Sequence, residues 1–340
     1  VPANYDGYVV YAVGQQDVRE GTPSAKRTNI LGTSENATIT KLTIEEGIKE
    51  IKCGAFEKCT GIKGNLVIPD GVTKIGKLAF NKCSGFDGTL TLPSSLKSIV
   101  DGAFQFCSGF TGDLVIPEGV ETLGAYVFNN CSGFNGTLTL PSTLKNIGGS
   151  DFQLCSGLKG DLVIPEGVET IGTFAFNKCS GFNSTLTLPS TLKSIGRTSF
   201  QYCSGLTGDL VIPEGVEKVE DYTFYACSKL IGDLIIPDSV ESVGYCGFYG
   251  CSGFNGILKL SSNLKTIGEA AFYNCSSLTG QLKLPDRIES IGQFAFNSCR
   301  SLTGDLVIPN SITKISRASF QDCKGLTGKL VLPDSITTIE

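Results

Sequence analysis

The stretch Leu162–Thr185 reads LVIPEGVETIGTFAFNKCSGFNST, and close variants of its 24 residues fill most of this 340-residue chain. With Leu162 taken as position 1 of a unit, residues 42–329 form twelve consecutive units. The Leu at position 1, the Phe at position 15 and the Cys at position 18 occur in all twelve. A fixed period of between about 20 and 50 residues is typical of solenoids and repeat arrays. The chain is therefore interpreted as a stack of repeated turns.

Each unit contains the signals of two short strands and a turn. Leu-x-Ile-Pro alternates apolar and polar residues and predicts a short strand that ends at the Pro. Val-x-x-Ile-Gly predicts a second short extended segment, and the apolar spacing of three before the Cys predicts one helical or 3₁₀ turn that directs the Phe and the Cys inward. We predict an α/β solenoid, a coil of parallel short strands in which no unit is stable without its neighbours.

These residues resemble the BspA-like type of leucine-rich repeat. The motif is IPxxVxxIGxxAFxxCxxL, as in residues 164–182 and 212–230, and the resemblance extends over residues 42–340. It implies a right-handed leucine-rich repeat coil of about 12.5 repeats, the last of them incomplete. It also implies a secreted or cell-surface protein of an anaerobic bacterium, with a role in adhesion and protein recognition. Residues 1–41 stand outside the repeats, and we predict that they form an N-terminal cap.

The cysteines follow the same period. Of the 14 Cys residues, twelve are spaced by 24 residues, and only Cys53 and Cys246 lie outside this series. Stacked cysteines would lie about 4.8 Å apart, longer than the roughly 3.5–4.5 Å between Cβ atoms that a disulfide needs. Twelve thiols could bind a soft metal, but free Cys also packs as a small buried hydrophobic residue. We predict an inert structural ladder, represented by Phe176, Cys179, Phe200 and Cys203.

Composition removes several classes of function. The chain has no His, which excludes catalytic groups and metal sites that depend on imidazole. Its net charge of −5 provides no general basic field for nucleic acid, and no apolar run approaches the length of a transmembrane segment. Paired carboxylates such as Asp209 and Asp233, in adjacent units, leave one route to catalysis, but repetition produces such pairs without catalytic purpose. We predict a non-enzymatic protein with no cofactor and no metal.

The tyrosines are concentrated in one part of the array. Six of the ten lie between residues 202 and 273. Position 16 is Asn or Gln in most units, and it becomes Tyr in three consecutive units. Exposed rings about 4.8 Å apart would suit contact with a protein or with the apolar face of a sugar. Outer-face substitutions without function are the alternative. The candidate binding residues are Tyr202, Tyr222, Tyr225, Tyr245, Tyr249 and Tyr273.

Two further surfaces are considered. The strand face alternates small residues such as Asp113, Val115, Thr137 and Thr139, and none of them has the character of a binding hot spot. The chain stops at Glu340, midway through a unit, and an exposed sheet edge there could associate with a second molecule. Three functions thus remain open: protein recognition and adhesion, carbohydrate binding through the tyrosines, and a self-associating structural stalk.

Overall fold

A computed structural model of the protein describes residues 9–10 and 40–340. The chain divides into two compact parts, Val1–Lys159 and Gly160–Glu340, and each is considered by itself. From here on, "first unit" and "second unit" mean these two parts, and a single 24-residue repeat is a turn. The cap predicted over residues 1–41 lies almost entirely outside the described residues. Within it, Val9–Val10 forms a strand that pairs in parallel with Thr43–Ile44.

The turns of both units are built on strands of two residues. In the first unit the strands are β1 Val9–Val10, β2 Thr43–Ile44, β3 Glu50–Ile51, β4 Leu66–Val67, β5 Lys74–Ile75, β6 Leu90–Thr91, β7 Ser98–Ile99, β8 Leu114–Val115, β9 Thr122–Leu123, β10 Leu138–Thr139 and β11 Asn146–Ile147. In the second unit they are β12 Leu162–Val163, β13 Thr170–Ile171, β14 Leu186–Thr187, β15 Ser194–Ile195, β16 Gly208–Asp209, β17 Lys218–Val219, β18 Leu230–Ile231, β19 Leu234–Ile235, β20 Ser242–Val243, β21 Leu258–Lys259, β22 Thr266–Ile267, β23 Ser290–Ile291, β24 Leu306–Val307, β25 Lys314–Ile315, β26 Leu330–Val331 and β27 Thr338–Ile339.

The strands pair in parallel, turn upon turn, as the repeat predicts. In the first unit β3, β5, β7, β9 and β11 form a continuous ladder, and in the second unit β17, β20, β22 and β23 do the same. Ile51 lies opposite Ile75, so that equivalent side chains stack. Most strands bury one residue and leave the other exposed or partly exposed, as at Leu66–Val67 and Lys74–Ile75, because successive side chains point to opposite faces. Both residues are exposed in β26 and β27. Each unit is therefore a solenoid of parallel strands.

The helical or 3₁₀ turns predicted before the Cys are not found, since the described residues contain no helix. Positions 13 and 17 of each turn adopt positive φ instead, as at Leu78 (55°) and Lys82 (61°). A residue in the left-handed region ends a right-handed helix. The N–H of Phe80 donates to the carbonyl of Ala103 in the next turn at 2.7 Å, while alternate N–H groups bond within their own turn. This segment is therefore another ladder between turns.

Columns of like side chains form the core of each unit. The Phe rings at position 15 are stacked nearly parallel, with centroids 5.1 to 5.8 Å apart from Phe56 to Phe152 and 5.2 to 5.5 Å apart from Phe176 to Phe320. Such contacts add about 0.5–1.5 kcal/mol per pair beyond simple burial.

A helix long and apolar enough to cross a bilayer is absent from the part of the chain that the structure describes.

The first strands of the turns pair only two by two: β4 with β6, β8 with β10, β12 with β14, β19 with β21 and β24 with β26. In the sequence, turns that begin Leu-Val-Ile alternate with turns that begin Leu-Thr-Leu up to residue 209. The residue before each type differs, and at one such pair the carboxylate of Asp161 accepts the backbone N–H of Thr185 at 2.9 Å. The alternation therefore has a structural basis in unequal junctions.

The turn that begins at Leu210 interrupts this alternation, because the next turn begins Leu234-Ile-Ile and, like it, follows a Gly-Asp junction. Gly208 of β16 lies opposite Leu230 of β18, an offset of 22 residues that recurs in the bridges Thr185–Thr207, Ile257–Thr279 and Gln281–Thr303. Residues 210–212 lie outside any strand, and Val211 is 73% exposed. This turn of the second unit thus lacks a first strand, as does the turn that begins at Leu282.

Candidate functional site

The side chains at position 16 form a column beside the buried Phe column. In most turns these side chains are amides that bond to one another, as in Asn129 Nδ2 to Gln153 Oε1 at 2.9 Å and Asn297 Nδ2 to Gln321 Oε1 at 3.0 Å. In three successive turns of the second unit the column consists of rings. The tyrosines therefore replace a ladder of amide hydrogen bonds by a ladder of stacked aromatic rings.

The three rings at position 16 stack face to face. Tyr225 and Tyr249 have centroids 4.7 Å apart at an interplanar angle of 8°, and Tyr249 and Tyr273 are also 4.7 Å apart, at 3°. The backbone ladder sets this spacing, since the N–H of Ala226 donates to the carbonyl of Tyr249 at 2.7 Å and that of Gly250 donates to Tyr273 at 2.8 Å. Both faces of Tyr249 are consequently covered by its neighbours.

The other three predicted tyrosines join this stack at an angle. Tyr202 lies edge-on to Tyr225, with centroids 5.2 Å apart at 72°. Tyr222 lies 5.7 Å from Tyr225 at 55° and 4.9 Å from Tyr245 at 82°. Tyr202 and Tyr222 occupy the left-handed positions 17 and 13 of their turns, with φ of 60° and 58°. The six rings thus form one continuous patch, the tyrosine cluster (Tyr202, Tyr222, Tyr225, Tyr245, Tyr249 and Tyr273).

Three phenols of the cluster, those of Tyr225, Tyr245 and Tyr249, have a raised pKa. Burial, and then the neighbouring Tyr202, raise the pKa of Tyr225 to about 12. Burial raises the pKa of Tyr249 as well, and a hydrogen bond with Tyr222 raises the pKa of Tyr245. The ring of Tyr202 is 41% exposed and that of Tyr245 is 37% exposed, while the others are partly covered. The cluster therefore presents neutral hydroxyls and ring edges to solvent.

Two carboxylates flank Tyr245 in the column of position 12. Asp221, one turn before, accepts the backbone N–H of Tyr245 at 2.8 Å and pairs with Arg197 at 3.0 Å. Glu269, one turn after, is exposed, and its backbone carbonyl accepts the N–H of Cys246 at 2.9 Å. Burial raises the pKa of the Cys246 thiol to about 11, and the charges of Glu269 and Asp221 contribute. The cluster thus has acidic neighbours and covers a protonated thiol.

The predicted Phe and Cys ladder lies in the interior of the second unit. Phe176, Cys179, Phe200 and Cys203 are fully buried. Cys203 Sγ donates to the carbonyl oxygen of Phe176 at 3.1 Å, and the same contact recurs with the next turns. Burial raises the pKa of Cys203 to about 12. These thiols are free and are placed as donors within the core.

The carboxylates of the other candidate surfaces have structural partners. Asp113 accepts the backbone N–H of Thr137 at 2.6 Å, and this bond lowers the pKa of Asp113. Asp233, considered above with Asp209 as a carboxylate pair, accepts the N–H of Ile257 at 2.8 Å. The periodicity indicates the tyrosine column, but the flanking position of Glu269 becomes visible only when position 12 of neighbouring turns is compared.

Comparison with known proteins gives a family and two informative structures. The family described as the BspA type leucine rich repeat region matches residues 34–159, 160–232 and 230–340. A leucine-rich repeat protein from Bacteroides ovatus shares 28% identity with a TM-score of 0.67, over 88% of this chain and 80% of its own. A leucine rich cell surface protein from Faecalibacterium prausnitzii shares 27% identity with a TM-score of 0.51, over 87% of both chains. Among curated proteins, none matches the sequence.

Proposed function

Because the chain belongs to the BspA type leucine-rich repeat family, we propose that it is a non-catalytic, secreted or cell-surface protein that binds other proteins in adhesion, and that the tyrosine cluster is its binding surface. The similar protein from Faecalibacterium prausnitzii is described as a cell surface protein, which supports this location. We also propose an anaerobic bacterial source, and the likeness to proteins of Bacteroides ovatus and Faecalibacterium prausnitzii supports a bacterial one.

The tyrosine cluster carries the proposal. Six partly exposed rings are gathered in four successive turns, at positions where the other turns mostly carry amides or small residues. Tyr is enriched among the residues that contribute most to protein–protein affinity, because it offers a large rigid surface with a polar end. The backbone ladder between turns holds these rings in place before any partner arrives, which reduces the entropy lost on binding.

Ring stacking favours a protein partner over a carbohydrate. A sugar would lie with its apolar side against an open ring face. Both faces of Tyr249 are covered by Tyr225 and Tyr273 at 4.7 Å, so the middle of the stack offers edges and hydroxyls instead. Edges and hydroxyls suit the mixed polar and apolar surface of a protein.

The test replaces the stack by the amides of the neighbouring turns. The triple variant Tyr225→Asn, Tyr249→Asn, Tyr273→Asn restores the residue type found at position 16 elsewhere, so the fold should persist. Tyr126→Ser is the matched control, since Tyr126 is an exposed tyrosine outside the cluster and Ser150 takes its position in the next turn.

A surface protein captured from neighbouring bacteria or host matrix would be purified and its affinity measured for each variant by biolayer interferometry. We expect the triple variant to lose about tenfold or more in affinity, as for interface tyrosines of this kind. Tyr126→Ser should bind like the wild type. Equal affinity of the folded triple variant and the wild type would contradict the proposal, and binding to another copy of the chain would favour the self-associating stalk.

A further inference from the structure

The charged side chains next to the tyrosine cluster indicate a more specific kind of partner than the rings alone. Position 12 carries Arg197, Asp221, Tyr245, Glu269 and Gln293 in five successive turns. Tyr245, among the most exposed rings of the cluster, therefore lies between two carboxylates. Tyrosine at this position occurs in no other turn of the repeat array.

The two carboxylates differ in their ion-pair and hydrogen-bond partners. Asp221 is held by Arg197 at 3.0 Å and by the backbone N–H of Tyr245 at 2.8 Å. Glu269 is exposed, and across residues 9–10 and 40–340 its carboxylate takes part in no ion pair. The free negative charge of this surface is thus located one turn from the ring of Tyr245.

We propose that the cluster recognises an arginine or lysine side chain on its protein partner, with the cationic head paired to Glu269 and the side chain lying against Tyr245. This inference rests on the function proposed above and adds the chemistry of the ligand. Charge complementarity supports it, since the exposed charge one turn from Tyr245 that no described ion pair engages is the negative charge of Glu269. Arginine fits best, because its planar guanidinium can stack on an aromatic ring and bond to a carboxylate at the same time.

The neutral phenols add to this preference. The pKa values of Tyr225 and Tyr249 are raised by burial, so these hydroxyls remain uncharged acceptors and donors at neutral pH. A cation near a ring face gains about 0.5–2 kcal/mol depending on its exposure to water. An acidic partner would instead meet Glu269, which repels it.

A pair of model peptides tests the inference directly. One peptide, acetyl-Ala-Arg-Ala-Arg-Ala-amide, is compared with the same peptide in which citrulline, neutral and nearly isosteric, replaces arginine. Ring signals of tyrosine-labelled full-length protein are followed by NMR during titration, with maltohexaose as a neutral sugar. We expect the arginine peptide alone to shift cluster signals, with an affinity about fivefold weaker in Glu269→Gln and at high salt.

The control is Glu289→Gln, which removes the same charge from an exposed Glu at position 8 of the repeat, and its affinity should equal that of the wild type. Equal shifts by the citrulline peptide, no effect of Glu269→Gln, or shifts by the sugar alone would overturn the inference. A protein partner lost on the Tyr→Asn substitutions but indifferent to Glu269→Gln and salt would leave the proposed function intact and reject only the arginine or lysine contact.

Discussion

Asp151 is an acidic residue at a buried position of the repeat. It occupies position 14 of its turn, where Ala79 stands in an earlier turn. The side chain is fully buried and accepts the N–H of Gly148 at 2.7 Å and that of Val127 at 3.3 Å. Burial raises the pKa of Asp151 to about 8, and the charge of Asp101 adds to the effect. The folded carboxyl therefore keeps its proton at neutral pH.

This buried acid predicts a pH dependence of stability. The unfolded Asp151 ionises near its ordinary pKa of 3.8 and the folded one only near 8, so its contribution to stability falls as pH rises through this window. Asp151→Asn keeps the shape without ionising, and its stability relative to the wild type should rise by at most about 1.4 kcal/mol per pH unit. Urea denaturation at about pH 5 and about pH 8 measures the difference.

Asp113→Asn is the control for this prediction, since Asp113 is exposed and a backbone hydrogen bond from Thr137 lowers its pKa. Its stability relative to the wild type should not rise between the same two pH values. A difference between Asp151→Asn and the wild type that stays constant with pH would show that the carboxyl ionises normally in the folded protein.

At the scale of structural elements, the cysteine column joins each turn to the one before it. The carbonyl of Phe80 accepts the N–H of Cys83 at 3.1 Å and Sγ of Cys107 at 3.0 Å, so both of its lone pairs are used. Burial raises the pKa of Cys107 and of the equivalent thiols in the column. A protonated, enclosed thiol is a poor nucleophile, which explains how the protein carries many cysteines without disulfides.

Thiol titration of the native protein tests this column. All 14 cysteines lie in the described residues, and among them only Cys53 is exposed. We expect one thiol to react rapidly with an aromatic disulfide reagent at about pH 7.5 and all of them to react in denaturant. Cys323 should remain slow because burial raises its pKa to about 11. Cys53→Ser should abolish the rapid phase, and several rapid thiols in the native protein would disprove the enclosure.

The sequence predicts these elements unequally. Repetition of Phe and Cys at a fixed spacing predicts the stacked turns, because like residues must meet when strands pair in register. The positive φ at Lys82 and Tyr202 is not predictable from either residue, since neither prefers the left-handed region and hydrogen bonds to the next turn hold them there. The same limit applies to Tyr222, whose contacts with Tyr225 and Tyr245 depend on this backbone geometry.

At the scale of the whole molecule, the turn that begins at Leu210 carries part of the cluster and, like the turn that begins at Leu282, has no first strand. Two successive turns follow Gly-Asp junctions, Gly208-Asp209 and Gly232-Asp233, and residues 210–212 between these junctions lie outside any strand. The same turn supplies Tyr222 and Tyr225. The cluster therefore includes a turn of the second unit that has no first strand.

Deleting single turns separates the effect of first-strand pairing on stability from the effect of the number of turns. Deletion of residues 210–233 joins Asp209 to Leu234, which keeps a Gly-Asp junction and restores the alternation. Deletion of residues 186–209 joins Thr185 to Leu210, which leaves turns of one type in succession and removes the partner of β12. Both variants lose one turn and one interface between turns, which contribute similarly to the stability of a repeat array.

We expect the first deletion to be more stable than the second by about 2 kcal/mol, because roughly two backbone hydrogen bonds between first strands are kept at about 1 kcal/mol each. Urea denaturation followed by circular dichroism compares the two proteins of equal length. Equal stability, or the reverse order, would mean that the alternation of turn types reflects duplication alone and that it does not contribute to stability through the pairing of first strands. The predicted order would mean that the chain tolerates a loss of first-strand pairing at the turn that supplies Tyr222 and Tyr225.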